Sequence, residues 1–96
     1  MLTFEIFGKT GCARCKSTRN KLTHLITKNG RTAEVDLAYH DMESVEGMAE
    51  GAFNGVTDIP TTILRSASGE AMARWDGCLP PAAEVKAYLA APAGGA

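Results

Sequence analysis

The spacing of hydrophobic positions changes twice within the first forty residues. Residues 2–7 alternate apolar and polar side chains with period two, which predicts a strand. Between about residues 12 and 29 the apolar positions recur at helical spacing, and the Asn29-Gly30 pair is typical of a helix end. Residues 32–37 alternate again and predict a second strand. The apolar face of this second strand would consist of Ala33, Val35 and Leu37.

A second helix is predicted after the second strand. Asp41 suits its N-cap, because a short acidic side chain can accept a hydrogen bond from the free backbone N–H groups of the first turn. The Asn54-Gly55 pair then ends the helix. Gly47 and Gly51 weaken it by about 1 kcal/mol each relative to alanine. The apolar stripe that this helix would bury consists of Met42, Val45, Met48, Ala49 and Phe53.

Two short strands and a last helix complete the pattern. Residues 61–65 and 70–75 predict strands, and the few turn residues between them imply an antiparallel hairpin. Pro80-Pro81 begins the last helix, because proline fits the first helical turn, and the helix extends to about Leu89. Residues 91–96 are rich in glycine and alanine, and we expect them to form a flexible tail.

The predicted element order is β-α-β-α-β-β-α, which indicates an α/β fold in one domain over residues 1–90. The first two strands are joined by a helix, so they should run parallel. The last two strands form a hairpin and should run antiparallel. We therefore expect one mixed, four-stranded sheet with helices covering both of its faces.

Composition and charge exclude several classes of function. Ten basic and eleven acidic side chains give a formal net charge of −1, so no excess of positive charge is present to bind phosphate backbones. No apolar run approaches the ~18 residues that cross a bilayer, and the N-terminus does not resemble a secretion signal. We expect a cytoplasmic monomer with neither a nucleic-acid nor a membrane partner.

Three cysteines carry the candidate chemistry, and two of them are spaced Cys-x-x-Cys. Cys12 falls where the first strand gives way to the first helix, where free N–H groups and about half a positive charge favour thiolate over thiol. Arg14 should lower the pKa of this thiol further. Cys15 follows one turn later, so the two sulfurs can face each other. The pair suits thiolate attack on a disulfide, followed by resolution.

A metal site is the competing interpretation of the same cysteines. One Cys-x-x-Cys provides two ligands, whereas a structural zinc site needs about four. Cys78, His24 or His40 would have to complete the set, and we expect the two histidines at the surface and no intrinsic metal site. A bridged metal or iron–sulfur carrier module that uses these cysteines and a non-catalytic adaptor both stay open as alternatives.

Two further features have a simple interpretation and a functional one. Cys78 is most simply a small buried or half-buried residue, and alternatively a third redox thiol. Four basic residues of the first helix are most simply a solvated face, and could alternatively attract an acidic partner in a salt-dependent way. These four are Lys16, Arg19, Lys21 and Lys28.

Several segments together resemble the thioredoxin superfamily, and the glutaredoxin and glutaredoxin-like redoxin branch fits best. They are Phe4 to Lys16 with its Cys12-Ala13-Arg14-Cys15, then Ile59-Pro60-Thr61, and Asp76-Gly77-Cys78. The resemblance implies a thioredoxin-like fold with a cis-proline at Pro60 that faces the dithiol. It also implies that Cys12 is the nucleophile and Cys15 the resolving thiol. Lys9 matches a glutaredoxin lysine that holds a carboxylate of glutathione.

The function that the resemblance implies is thiol–disulfide oxidoreduction without a resident cofactor. Its substrate would be a disulfide-bearing protein or a mixed disulfide with glutathione. Glutathione or a flavin-dependent reductase would then reduce the resulting disulfide between Cys12 and Cys15. The residues expected to line the substrate groove are Lys9, Thr10, Arg14, Ile59, Pro60, Asp76 and Gly77.

Overall fold

Seven elements follow one another in the predicted order in the computed structural model, which describes residues 1–90. Residues 91–96, for which we predicted a flexible tail, lie outside this range. The strands are β1 (Leu2–Gly8), β2 (Val35–Asp41), β3 (Thr61–Arg65) and β4 (Ala71–Asp76). The helices are α1 (Ala13–Lys28), α2 (Val45–Phe53) and α3 (Ala82–Ala90).

The four strands form one mixed sheet in the order β2-β1-β3-β4, as predicted. β1 pairs with β2 in parallel and with β3 antiparallel, and β3 and β4 form the antiparallel hairpin. Gly8 at the end of β1 is opposite Asp41 at the end of β2, and Phe7 is opposite Thr61 at the start of β3. The segments that follow Gly8 and Asp41 and the segment that precedes Thr61 meet at the same ends of the strands. We call this end of the sheet the cysteine edge.

Helices α1 and α3 cover one face of the sheet with apolar side chains. Alternation along β1 turns Phe4 and Ile6 toward these helices, and neither side chain is exposed to solvent. Burial of each such side chain contributes about 1.5–3 kcal/mol. The cluster contains Phe4, Ile6, Leu22, Leu25, Ile26, Val35, Leu64, Trp75, Val85 and Leu89. The apolar positions predicted for the first helix are thus confirmed as its buried side.

The opposite face of the sheet carries polar side chains from three strands beside the buried Phe7 and Ile63. Arg65 donates a hydrogen bond from Nε to Glu5 Oε1 at 2.5 Å, and His40 Nε2 lies 3.2 Å from Glu5 Oε2. Arg65 also donates to Oδ1 of Asn54, the residue that caps the C-terminus of α2. The ring of His40 stacks on Phe7 with 4.6 Å between centroids. This face is therefore linked to α2 by polar contacts.

The second strand begins and ends later than predicted. Ala33 is exposed in the turn that precedes it, and the strand starts at Val35, which pairs with Leu2. Its parallel ladder with β1 continues through Asp41 until Met42 N–H donates to the carbonyl of Gly8 at 2.7 Å. The predicted N-cap at Asp41 is wrong because this residue is still extended. Ser44 caps α2 instead, and its Oγ accepts from the N–H of Gly47 at 2.9 Å.

The apolar stripe predicted for the second helix is also wrong. Val45, Met48 and Phe53 are 75%, 49% and 88% exposed, Ala49 is exposed as well, and Met42 lies before the helix. The buried residues of α2 are Gly47 and Gly51. A Cβ on Gly47 would overlap the carbonyl group of Asp41, and one on Gly51 would lie 2.5 Å from Cε of Met42. The helix therefore approaches the segment before it through its glycines.

The last helix starts two residues after Pro80. Trp75 at the end of β4 is buried beside it, and its indole Nε1 donates to Oε1 of Glu84 at 3.2 Å. Within residues 1–90 no helix has both the length and the apolar character that crossing a membrane requires.

Candidate active site

Cys12 and Cys15 are disulfide-bonded at the start of α1. Cys12 is the N-cap of the helix, with an extended backbone, and its sulfur accepts a hydrogen bond from the backbone N–H of Cys15 at 3.1 Å. Their Cα atoms lie 5.2 Å apart, which is within the usual range for a disulfide. The pair thus occupies the helix N-terminus that the sequence predicted, where a thiolate on Cys12 would be favoured over a thiol.

The two sulfurs differ in their access to solvent. Cys15 is completely buried, whereas Cys12 is partly exposed. A molecule from outside can therefore approach the sulfur of Cys12 first. Cys15 lies behind it, on the buried side of α1 with Leu22 and Ile26.

Gly8 makes room for the buried sulfur. A Cβ on this residue would lie 2.8 Å from Sγ and Cβ of Cys15 and 2.8 Å from the hydroxyl oxygen of Tyr39. The tyrosine hydroxyl and Cys15 are thus neighbours around the same backbone position. Burial raises the pKa of Tyr39, and the charge of Asp41 raises it further, so the phenol is a neutral donor at pH 7.

A pocket of about 480 Å³ lies beside Cys12. It is lined by Lys9, Thr10, Gly11, Cys12, Ala13, Lys16, Arg19 and Tyr39. The guanidinium group of Arg19 lies over the ring of Tyr39, 5.1 Å from its centroid. The structure thus brings the predicted groove residues Lys9 and Thr10 together with Cys12. It adds Lys16 and Arg19, for which the sequence most simply predicts a solvated helix face, and Tyr39, for which the sequence carries no signal of a functional role.

The other side of the cysteine edge is spanned by Arg14. Its guanidinium group donates a hydrogen bond to the carbonyl oxygen of Gly77, in the turn after β4. Gly77 has a φ of +68°, and a Cβ there would lie 3.2 Å from the side chain of Asp58. Arg14 and Gly77, both predicted to line the substrate groove, are therefore in contact with each other. They do not line the pocket that contains Lys9 and Cys12.

The remaining predicted groove residues lie at the same edge. The peptide bond between Ile59 and Pro60 is cis, as the resemblance implies. Pro60 is buried directly before Thr61, which pairs with Phe7, and Ile59 is partly exposed. Asp76 is exposed at the end of β4, and its carboxylate accepts a hydrogen bond from Nε of Arg74 at 2.9 Å.

The third cysteine is not bonded to the pair, and the two histidines differ in their exposure. Cys78 is a free thiol and is exposed, so the interpretation of it as buried or half-buried is wrong. His24 is exposed, as predicted, whereas His40 is partly buried against Glu5. Within residues 1–90 no three His, Cys, Asp or Glu side chains lie close enough together to hold a metal ion.

Comparison with known proteins shows which fold this is. No protein-family model matches the chain, and no curated protein matches its sequence. Solved structures do match it. Thioredoxin-2 of the malaria parasite has a TM-score of 0.74 at 19% identity, with 93% of this chain and 81% of that one covered.

Two other solved thioredoxins match at similar levels. Thioredoxin O2 of Arabidopsis thaliana has a TM-score of 0.71 at 16% identity, with 93% of this chain and 72% of that one covered. Mitochondrial thioredoxin 3 of Saccharomyces cerevisiae has a TM-score of 0.68 at 22% identity, with 92% of this chain and 76% of that one covered. The chain therefore has the thioredoxin fold. The fold and the Cys-x-x-Cys disulfide together support thiol–disulfide oxidoreduction as the general class of chemistry.

Proposed function

We propose that this thioredoxin-fold chain is a glutaredoxin-like thiol–disulfide oxidoreductase that reduces protein disulfides, or mixed disulfides with glutathione, in the cytoplasm. The observation that carries the proposal is the disulfide at the start of α1, with Cys12 partly exposed and Cys15 buried. This asymmetry gives the two cysteines different tasks. Lys9 beside Cys12 supports the glutaredoxin-like assignment, because the resemblance implies that it holds a glutathione carboxylate.

In the first step, the thiolate of Cys12 attacks one sulfur of the substrate disulfide. A bond forms between Cys12 Sγ and that sulfur, the substrate disulfide breaks, and the other substrate sulfur leaves as a thiolate that takes up a proton. The N–H of Cys15, 3.1 Å from Cys12 Sγ, is placed to stabilise the attacking thiolate. The positive end of α1 contributes in the same direction.

In the second step, Cys15 resolves the mixed disulfide. Its thiol loses a proton, its sulfur bonds to Cys12 Sγ, and the second substrate sulfur leaves. Two electrons have then passed from the protein dithiol to the substrate, and the protein holds the disulfide described above. Glutathione or a flavin-dependent reductase must return these electrons for a further cycle. Because Cys15 is buried, it reaches only a sulfur already attached to Cys12.

The first experiment is a redox titration of the Cys12–Cys15 pair in glutathione buffers, followed by thiol alkylation and mass spectrometry. We expect one reversible two-electron transition near the range of glutaredoxins, about −200 to −230 mV, or of thioredoxin, about −270 mV. A reduction potential of about −200 to −230 mV, the less negative of the two ranges, would support glutathione as the reductant. Thiols that resist alkylation until a chelator is added would contradict the proposal and indicate the metal or cluster module.

Serine variants separate the two roles. Cys12→Ser should abolish reduction of insulin and of a glutathione mixed disulfide while the fold is retained. Cys15→Ser should accumulate a covalent adduct with the substrate, which mass spectrometry detects. Cys78→Ser should retain the two-electron transition, because the proposal assigns both electrons to the other two cysteines. A Cys12→Ser protein as active as the wild type would sink the proposal and favour a non-catalytic adaptor.

A further inference from the structure

The charged side chains that line the pocket beside Cys12 are all positive. Its walls include the side chains of Lys9, Lys16 and Arg19, all on exposed residues, and no carboxylate side chain is among the lining residues that the structure describes. The chain as a whole has a formal charge of −1, so the cations are concentrated locally. Such a concave, positively charged surface attracts anions and raises their concentration near the reactive sulfur.

The cationic wall is built from two elements that the fold brings together. Lys16 and Arg19 are three residues apart on α1, so they share one side of the helix. Tyr39 belongs to β2, and its pairing with Ile6 fixes its position beside α1. The contact of Arg19 with the tyrosine ring, 5.1 Å to the centroid, is a cation–π interaction that holds the guanidinium group at the pocket.

The acidic groups near the pocket lie on its β2 side. Asp41 and Glu43 both raise the pKa of Tyr39, which shows that their negative charges act on that wall. The carboxylate of Asp41 also accepts a hydrogen bond from the backbone N–H of Glu43 at 2.9 Å. A bound anion is therefore attracted toward α1 and repelled from the segment that follows β2, which gives it a preferred position.

We propose that this pocket binds a carboxylate side chain of an acidic peptide segment next to the substrate disulfide. Lys16 and Arg19 would then be specificity-determining residues. The inference rests on the proposed function and names its substrate class. The covalent steps are unchanged, with one S–S bond formed and one broken at each step, and the carboxylate stays noncovalently bound. It increases the rate at which a substrate cysteine meets Cys12 in a productive orientation.

The test uses three peptides that share one disulfide and differ only in the residues that flank it. These residues are acidic in the first peptide, neutral amides in the second and basic in the third. Fully reduced protein is mixed with excess peptide, and the single-turnover rate of substrate reduction is measured at low and high salt. We expect the acidic peptide to react fastest and the basic one slowest, with a difference that shrinks as salt rises.

Two charge-neutralising variants and one matched control assign the effect to the pocket. Lys16→Gln and Arg19→Gln should each lower the ratio of the acidic to the neutral rate by about two- to fivefold. Lys28→Gln removes the same charge from the same helix, about two and a half turns beyond Arg19, and should keep the ratio. An equal loss in Lys28→Gln would trace the preference to net charge and overturn the inference.

Other outcomes separate this inference from the proposed function. Equal rates for the three peptides in a protein that reduces them all would overturn the inference alone. Arg19→Gln could also slow the reduction of glutathione disulfide while leaving the rates with all three peptides unchanged. In that case the pocket binds glutathione rather than a protein segment, and the inference is wrong. Calorimetry with an acidic peptide in which serine replaces cysteine reports the pocket without any redox step. Binding that depends on Arg19 in a protein that reduces nothing would support the pocket and overturn the oxidoreductase.

Discussion

The two faces of the sheet are held to their helices by different forces. On the face covered by α1 and α3, side chains such as Phe4, Leu22 and Leu64 are completely removed from water. The opposite face buries Phe7 and Ile63 as well, but it also carries the ion pair of Glu5 with Arg65, and α2 approaches its preceding segment through glycines. The first arrangement depends on the large apolar cluster that is buried, and the second adds close approach and charge to a smaller buried apolar area.

This difference shows how one small domain can serve both stability and chemistry. Burial of large apolar side chains is the main source of folding free energy, so the face with α1 carries most of the stability and also anchors Cys15. Contacts between partly exposed charges contribute little. The face with α2 therefore contributes less to stability, chiefly through Phe7 and Ile63, and its helix leaves apolar residues such as Phe53 in solvent.

The largest expected effect comes from a cavity on the apolar face. Leu22→Ala removes a completely buried side chain of α1, and we expect the free energy of unfolding to fall by about 2–5 kcal/mol. Chemical denaturation of the oxidised protein measures this loss. A loss below about 1 kcal/mol would mean that this face does not dominate stability, and the comparison would fail.

The next effect tests close approach on the other face. In a helix, glycine to alanine normally stabilises by about 1 kcal/mol. Gly47→Ala should instead destabilise by about 1–3 kcal/mol, because the new Cβ would overlap the carbonyl group of Asp41. The matched control is Ala52→Gly on the exposed side of α2, which should lose about 0.5–1 kcal/mol through helix propensity alone. Stabilisation by Gly47→Ala would show that the helix can move away from its neighbour at no cost.

A smaller effect is expected from the charged contacts. Glu5→Gln keeps the shape of the side chain but removes the charge that faces Arg65 and His40, whose side chains are all 18–24% exposed. We expect a loss of up to about 1 kcal/mol at low salt, and less at high salt. Thermal unfolding at two salt concentrations measures it. A loss as large as that of Leu22→Ala would make the polar face an equal contributor.

The smallest effect is expected on the exposed side of α2. Phe53→Ser removes a large apolar side chain that is 88% exposed, and the free energy of unfolding should change by less than about 0.5 kcal/mol. Denaturation measured at several protein concentrations provides the readout. A larger loss, or one that depends on concentration, would show that Phe53 is covered in solution, and the contrast between the faces would be weaker than the structure indicates.

The same contrast explains which parts of the fold the sequence could predict. Elements of the apolar face, such as β1 and α1, have a clear hydrophobic period and were predicted within a few residues. The bounds of β2 and the buried side of α2 were not. The parallel ladder with β1 kept Asp41 extended, and the buried positions of α2 are glycines, which contribute nothing to a hydrophobic period.

For the candidate site, the sequence could predict the parts that are local. The position of Cys12 at a helix start follows from neighbouring residues alone, and Lys9 precedes it by three. Lys16 and Arg19 could be assigned to a helix surface but not to a pocket. The other wall of that pocket is Tyr39, and only the pairing of two distant strands places it there. Exposure of Cys78 likewise depends on how the turn after β4 lies on the surface.

Gly8 limits the amino-acid sequences with which this site is compatible. Because a single methyl group there would meet both Cys15 and the hydroxyl of Tyr39, every other residue at this position forces the resolving cysteine or the tyrosine to move. A random library at position 8 selected for reduction of a disulfide should therefore return glycine almost alone, although the residue bears no reactive group. An activity screen would score a substitution of Gly8 as a catalytic defect, although its cause is that the backbone there has no space for a side chain.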